Sequence, residues 1–113
     1  MRDESRVTFV VSIWLKDGKD VAGFEQFERQ AATIMAAHGG RVDNVVRCGG
    51  EGGAPFEVHL VSFPDAAAAG AYRADPRLAK LMPLRDRVIA RTDVWPGRER
   101  SAYGDEVAFD ENR

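Results

Sequence analysis

From residue 7 to 15 apolar side chains alternate. Val7, Phe9, Val11, Ile13 and Leu15 fall on one side and Thr8, Val10, Ser12 and Trp14 on the other, in a run dense in β-branched and aromatic residues. This predicts a central strand. KDGKD interrupts it, and Asp20 is placed to accept the backbone N–H bonds that a first helical turn leaves unpaired. Phe24, Phe27, Ala31, Ile34, Met35 and His38 then recur at spacings of three and four, with Glu25, Glu28 and Arg29 assigned to the solvent side. Gly39 and Gly40 end this helix. Residues 41 to 48 and 56 to 63 predict two further strands, joined antiparallel through the glycine-rich turn GGEGGAP. Pro64 and Asp65 open a second helix over AAAAGAYR. Asp75 followed by Pro76 opens a short third one, running to about Met82 and ended by Pro83. After a loop or last turn, residues 88 to 95 form the final strand.

Strand, helix, strand, strand, helix, strand is the split βαβ order of the α+β, ferredoxin-like βαββαβ fold, with a four-stranded antiparallel sheet. Right-handed crossovers put the first and third strands in the middle and the charged second and fourth at the edges. One domain is expected over residues 1–97. Residues 98–113 are read as a polar, peripheral, mobile tail in which Tyr103, Val107 and Phe109 are able to dock.

Helices on one side of the sheet would cover Val7, Phe9, Val11, Ile13, Leu15, Phe56, Val58 and Leu60. Val10, Trp14, Val61 and Phe63 are then expected on the other side. An apolar patch of a few hundred Å² left wet would forgo several kcal/mol at about 25 cal/mol per Å². Two sheets packed face to face remove that cost, so a homodimer is expected, the alternative being that the tail folds over the same face.

A chain of 113 residues with 44% hydrophobic and 30% charged residues suits one globular domain, and its net charge of -2 gives no electrostatic reason to bind nucleic acid. The single cysteine, Cys48, cannot form an intramolecular disulfide, and no Cys/His cluster has zinc-ligand spacing. No metal is expected, and the compartment is read as reducing, hence cytoplasmic. The first residues carry no export signal and no apolar run approaches the ~20 residues that span a bilayer, so no membrane partner is expected.

VVSIWL at 10–15, IMAAHGGRV at 34–42, SFPDAAAAGAY at 62–72 and DPRLAKLMPLRDR at 75–87 resemble the dimeric α+β barrel superfamily. The likeness covers about residues 7–97, and it is greatest to the small proteins, many known only as domains of unknown function, related to antibiotic-biosynthesis-type monooxygenases. The resemblance implies a homodimeric barrel. It does not imply one chemistry, because the superfamily includes cofactor-independent monooxygenases, haem-degrading enzymes and lactone isomerases. Haem-degrading members use a histidine on the second helix, and none occurs between Asp65 and Met82. No cofactor is expected.

Alternation sends Ser12, Trp14, Glu57 and His59 to the face opposite the helices, which in a face-to-face dimer lines a chamber between the two sheets, where polar groups converging in an apolar cleft would make a ligand site. His59 is the candidate catalytic residue: imidazole exchanges a proton near neutral pH, and Glu57 is placed to orient it. The alternative is that both face solvent or the partner at the dimer seam. Trp14 suits stacking on an aromatic ligand or plain interface packing. Arg85, in a cluster with Asp86 and Arg87, suits clamping a carboxylate or pairing within the cluster. His38 is read as a cap at the helix C-terminus.

Three functions compete. The leading one is a barrel binding a small organic (aromatic or carboxylate) molecule, with cofactor-independent proton transfer at His59. The second is a monooxygenase acting on phenols, and the third a non-catalytic dimerisation module. An RNA-recognition domain shares the strand order, but FEVHLVSF supplies neither the glycine nor the basic charge of its base-stacking signature.

Overall fold

The first strand, β1 (Val7–Leu15), forms where the alternation predicts it, in a computed structural model that describes residues 6–104. The expected docking of Val107 and Phe109 concerns residues outside those described. Asp20 caps α1 (Val21–Ala37), its carboxylate accepting from the Gly23 N–H at 2.8 Å. Phe24, Phe27, Ala31, Ile34 and Met35 form the buried stripe of this helix. Gly39 turns the chain at φ 74°, and any side chain at Gly40 would run into Met35 and Phe63, so this corner requires glycine.

There follow β2 (Arg41–Arg47), β3 (Glu57–Phe63), α2 (Ala66–Arg73), α3 (Pro76–Ala79), α4 (Met82–Val88) and β4 (Ile89–Gly97). Asp65 and Asp75 cap α2 and α3, accepting from Ala68 and Arg77 N–H groups, each at 2.8 Å. Pro83 was expected to stop a helix but lies in the first turn of α4. Proline costs no hydrogen bond there, because first-turn N–H groups lack an intrahelical acceptor.

The strands form one antiparallel sheet in the order β2-β3-β1-β4, so the chain has the ferredoxin-like α+β fold with β1 and β3 central. Register, however, corrects the expected faces of β3. Val7 pairs with Phe63, Phe9 with Val61, Val11 with His59 and Ile13 with Glu57. Directly paired residues share a face, so Glu57, His59, Val61 and Phe63 lie beneath the helices with β1's apolar side. Val58 and Leu60 turn the other way, opposite Ser12 and Val10. Phe56, just before the strand, is buried and meets Phe24 edge-on at 5.8 Å.

The face away from the helices carries Val10, Trp14, Val46, Val58, Leu60 and Trp95. Val46 and Trp95 are 59% and 64% exposed. Among the described residues no helix is long and apolar enough to cross a membrane.

Candidate functional site

Between the helices and the covered face of the sheet lies a cavity of about 230 Å³. Phe9, Val11 and Val61 form its floor, and Phe27, Met35 and Met82 are among the side chains that roof it. For scale, a dry cavity of roughly 150 Å³ holds benzene. This one has room for a substituted ring or a compact bicycle. Its polar lining includes Glu28, His59, Tyr72, Arg85 and Thr92.

His59 belongs to a chain of charges that begins and ends on α1. Glu25 accepts from Arg47 Nη2 at 3.0 Å. Arg47 grips Glu57 Oε2 through Nε at 2.7 Å and Nη2 at 2.6 Å, and its guanidinium lies 4.7 Å from the Phe56 ring centre. The other Glu57 oxygen meets His59 Nε2 at 2.7 Å. A carboxylate held by a guanidinium is an acceptor, so Nε2 donates and the lone pair falls on Nδ1. That nitrogen faces Glu28 Oε1 at 3.7 Å. Glu57 and His59 are both 5% exposed, a burial that only mutual pairing makes tolerable.

Burial pushes the Glu28 carboxyl above its usual range; His59 opposes the rise, Glu57 adds to it and Arg85 opposes it. Burial, reinforced by Glu28's charge, raises the Tyr72 hydroxyl to about 12. Arg85 reaches the cavity from α4, steadied by Nη2 donating to Thr92 Oγ1 at 2.8 Å and Nη1 to Asp86 at 3.2 Å. The arrangement therefore offers an oriented imidazole, a partly buried carboxyl and a guanidinium around one apolar space.

Of the residues singled out from the sequence, Glu57, His59 and Arg85 gather at this cavity or directly behind it. Ser12 and Trp14 do not. They keep the expected face, away from the helices, where the Trp14 indole donates to Gly53 O at 3.0 Å and Arg91 stacks 4.4 Å above its ring. The expected convergence of all four is thus corrected: β3 turns Glu57 and His59 inward while β1 turns Ser12 and Trp14 outward. Glu28 was placed on the solvent side of α1 and belongs to the cavity. Its signal was present in the spacing Phe24, Glu28, Ala31, Met35, a core stripe interrupted by one acid. Tyr72 was missed too, since the alanine-rich α2 has a weak pattern.

A second pair, with Asp75 buried and His38 half-buried, lies where α1 ends and α3 begins. His38 Nε2 meets Asp75 Oδ2 at 2.8 Å, and Arg77 binds the same carboxylate at 2.7 Å and 3.1 Å. Hydrogen bonds from Arg77 and then from His38 hold Asp75 far below the usual carboxylate range. His38 thus joins two helices through its ring, beyond the capping role its position suggested.

Neither a family model nor a curated protein matches the sequence. Solved structures do match. A protein of unknown function from Rhodopseudomonas palustris superposes with TM-score 0.72 at 12% identity, over 89% of this chain and 86% of its own. SnoaB, a cofactor-independent oxygenase from Streptomyces nogalater, gives 0.67 at 16%, over 88% and 97%. A dabb family protein with a ferredoxin-like fold from Mesorhizobium loti gives 0.64 at 16%, over 85% and 98%. At such identities the likeness is one of fold, and the fold of this chain is the ferredoxin-like one shared by dabb, NIPSNAP-like and SnoaB-type structures, many of them of unknown function.

Proposed function

We propose that the cavity binds a small, largely apolar organic molecule and that His59 Nδ1 takes a proton from it without a cofactor. The observation that carries this reading is the Arg47–Glu57–His59 chain, which fixes a buried imidazole in the cavity wall and leaves its lone pair on Nδ1, the nitrogen facing the cavity-lining Glu28. A charged chain in the core is costly where apolar packing would serve. Arg85 supplies positive charge for a carboxylate or for the negative charge left by deprotonation. A thermal-shift screen of small aromatic ketones, phenols and carboxylates tests the binding, since a ligand at 100 times its Kd adds about 2.7 kcal/mol of stability. If no compound of these classes shifts the unfolding midpoint, the reading fails.

A monooxygenase acting on phenols begins with the same proton removal. Its support is the apolar lining, which would shelter an electron-rich phenolate as it passes an electron to oxygen. Oxygen uptake with phenols, lost in His59→Ala, selects this reading.

We further propose that the functional unit is a homodimer joined through the sheet face that carries Trp95 and Val46. Their exposure supports this, and sedimentation at micromolar concentration tests it: a single protomer there removes the dimer while leaving the cavity, whose lining one chain supplies.

A further inference from the structure

Glu28 is the ionisable cavity group that a lone histidine base leaves without a task. It lies on the core stripe of α1 with its side chain 26% exposed, and among the described residues it forms no hydrogen bond; its one ion-pair neighbour within 4 Å is His59 Nδ1, at 3.7 Å. Its oxygens keep access to the cavity and to solvent and are committed to no donor among the described residues, which leaves them available to a ligand. The charged and titratable groups facing it are His59 and Glu57 from β3, Arg85 from α4 and Tyr72 from α2. Burial raises its pKa and so extends to higher pH the neutral acid form, whose O–H is a donor.

We propose that Glu28 is a second catalytic residue, a general acid working beside the His59 base, and that the pair enolises small ketones and 1,3-dicarbonyl compounds bound in the cavity. This rests on the reading of His59 as a base. An α C–H bond breaks as its proton passes to His59 Nδ1, and the electron pair moves into the new C=C bond. The carbonyl oxygen, becoming the enol, takes the proton of Glu28. His59 then holds one proton too many and Glu28 one too few, and a closure of about 1 Å brings the two within hydrogen-bond distance to return it. No oxidant, reductant or metal enters the balance. Each group does what its position suits: the histidine is oriented from behind by Glu57, and the acid has no hydrogen-bond partner among the described residues.

The probe is 2-tetralone, a bicyclic ketone of suitable size, followed by NMR for exchange of its α protons in D2O. The full chain should speed this exchange, with a rate that falls as rising pH ionises Glu28. Glu28→Gln should lower it at least tenfold and abolish that fall, and His59→Gln should abolish the acceleration. If Glu28→Gln keeps both rate and pH profile while His59→Gln is inactive, the Glu28 role is overturned and the His59 reading stands. If the unaltered chain is no faster than buffer, both are overturned. A measurement without a ligand adds a separate check. A carboxyl whose folded value is raised contributes stability in full below its unfolded value of 4.5 and loses it as pH rises through the folded one. Glu28→Gln should therefore raise the unfolding midpoint at pH 8 and leave it nearly unchanged at pH 4. A lower midpoint at pH 8 would mean a structural ion pair and overturn the proposal.

Discussion

Beneath the helices the sheet buries Glu57 and His59, each 5% exposed, while its other face leaves Trp95 and Val46 at 64% and 59%. Each face thus carries an exception to the common distribution of polarity, a buried charged pair within an apolar floor on one side and exposed apolar groups on the other. On the covered face, charge persists because it is linked from Glu25 through Arg47 and Glu57 to His59, so that no member stands alone. On the open face no described residue covers Trp95. A close chain of charge costs more than apolar packing, and a wet tryptophan costs more than a covered one. On the reading proposed above, a ligand in the cavity offsets the first cost and a second sheet outside offsets the other.

The contrast is most sharply broken from the covered side. Phe24 is fully buried against Phe56, and Phe24→Ala should cost about 3 to 5 kcal/mol in urea unfolding. A loss below about 1 kcal/mol would mean that the core beneath the helices is not the stable part of the molecule.

Next in size is the charge chain. Glu57→Ala leaves His59 buried without its acceptor and should cost about 3 kcal/mol, the low end for a broken buried pair because Arg47 can turn to water. Glu57→Gln, which keeps the shape, should cost less. Equal losses for the two would place the effect in packing rather than charge.

A smaller effect separates this chain from the second pair. Asp75 has a lowered folded value, so its contribution is present above its unfolded value of 3.8 and is lost as pH falls through the folded one. The stability gap between the unaltered chain and Asp75→Asn should be widest near neutrality and close progressively in acid below 3.8. An unchanged gap down to pH 2 would show that the pair with Arg77 and His38 is not what Asp75 provides.

The smallest effect on the protomer belongs to the open face. Trp95→Ala should alter protomer stability by no more than about 0.5 kcal/mol, yet weaken self-association at least fivefold in sedimentation. A large protomer effect with no change in association would assign this tryptophan to the fold itself.

Much of the fold was legible because its signals are local. Asp20, Asp65 and Asp75 announce helix starts within a few residues, and the alternation of β1 and the glycines after α1 need no distant partner. The site was legible only in part. His59, Glu57 and Arg85 stood out as chemistry-bearing types, but Glu28 looked like one more surface acid on an amphipathic helix.

The chain's own order of residues determined the elements, their sequence and the βαββαβ arrangement, since periodicity and capping act over a few residues. Only the tertiary structure decided which way β3 faces. Phe56, Val58 and Leu60 alternate with Glu57, His59 and Val61, and a strand read alone prefers its apolar set inward. Pairing with β1 turns His59 in opposite Val11 and Glu57 in opposite Ile13, and Arg47, ten residues before Glu57, makes that choice tolerable. The physical reason is that a strand's face is set by its partner's register and by charges that meet across the sheet, neither of which a local pattern contains.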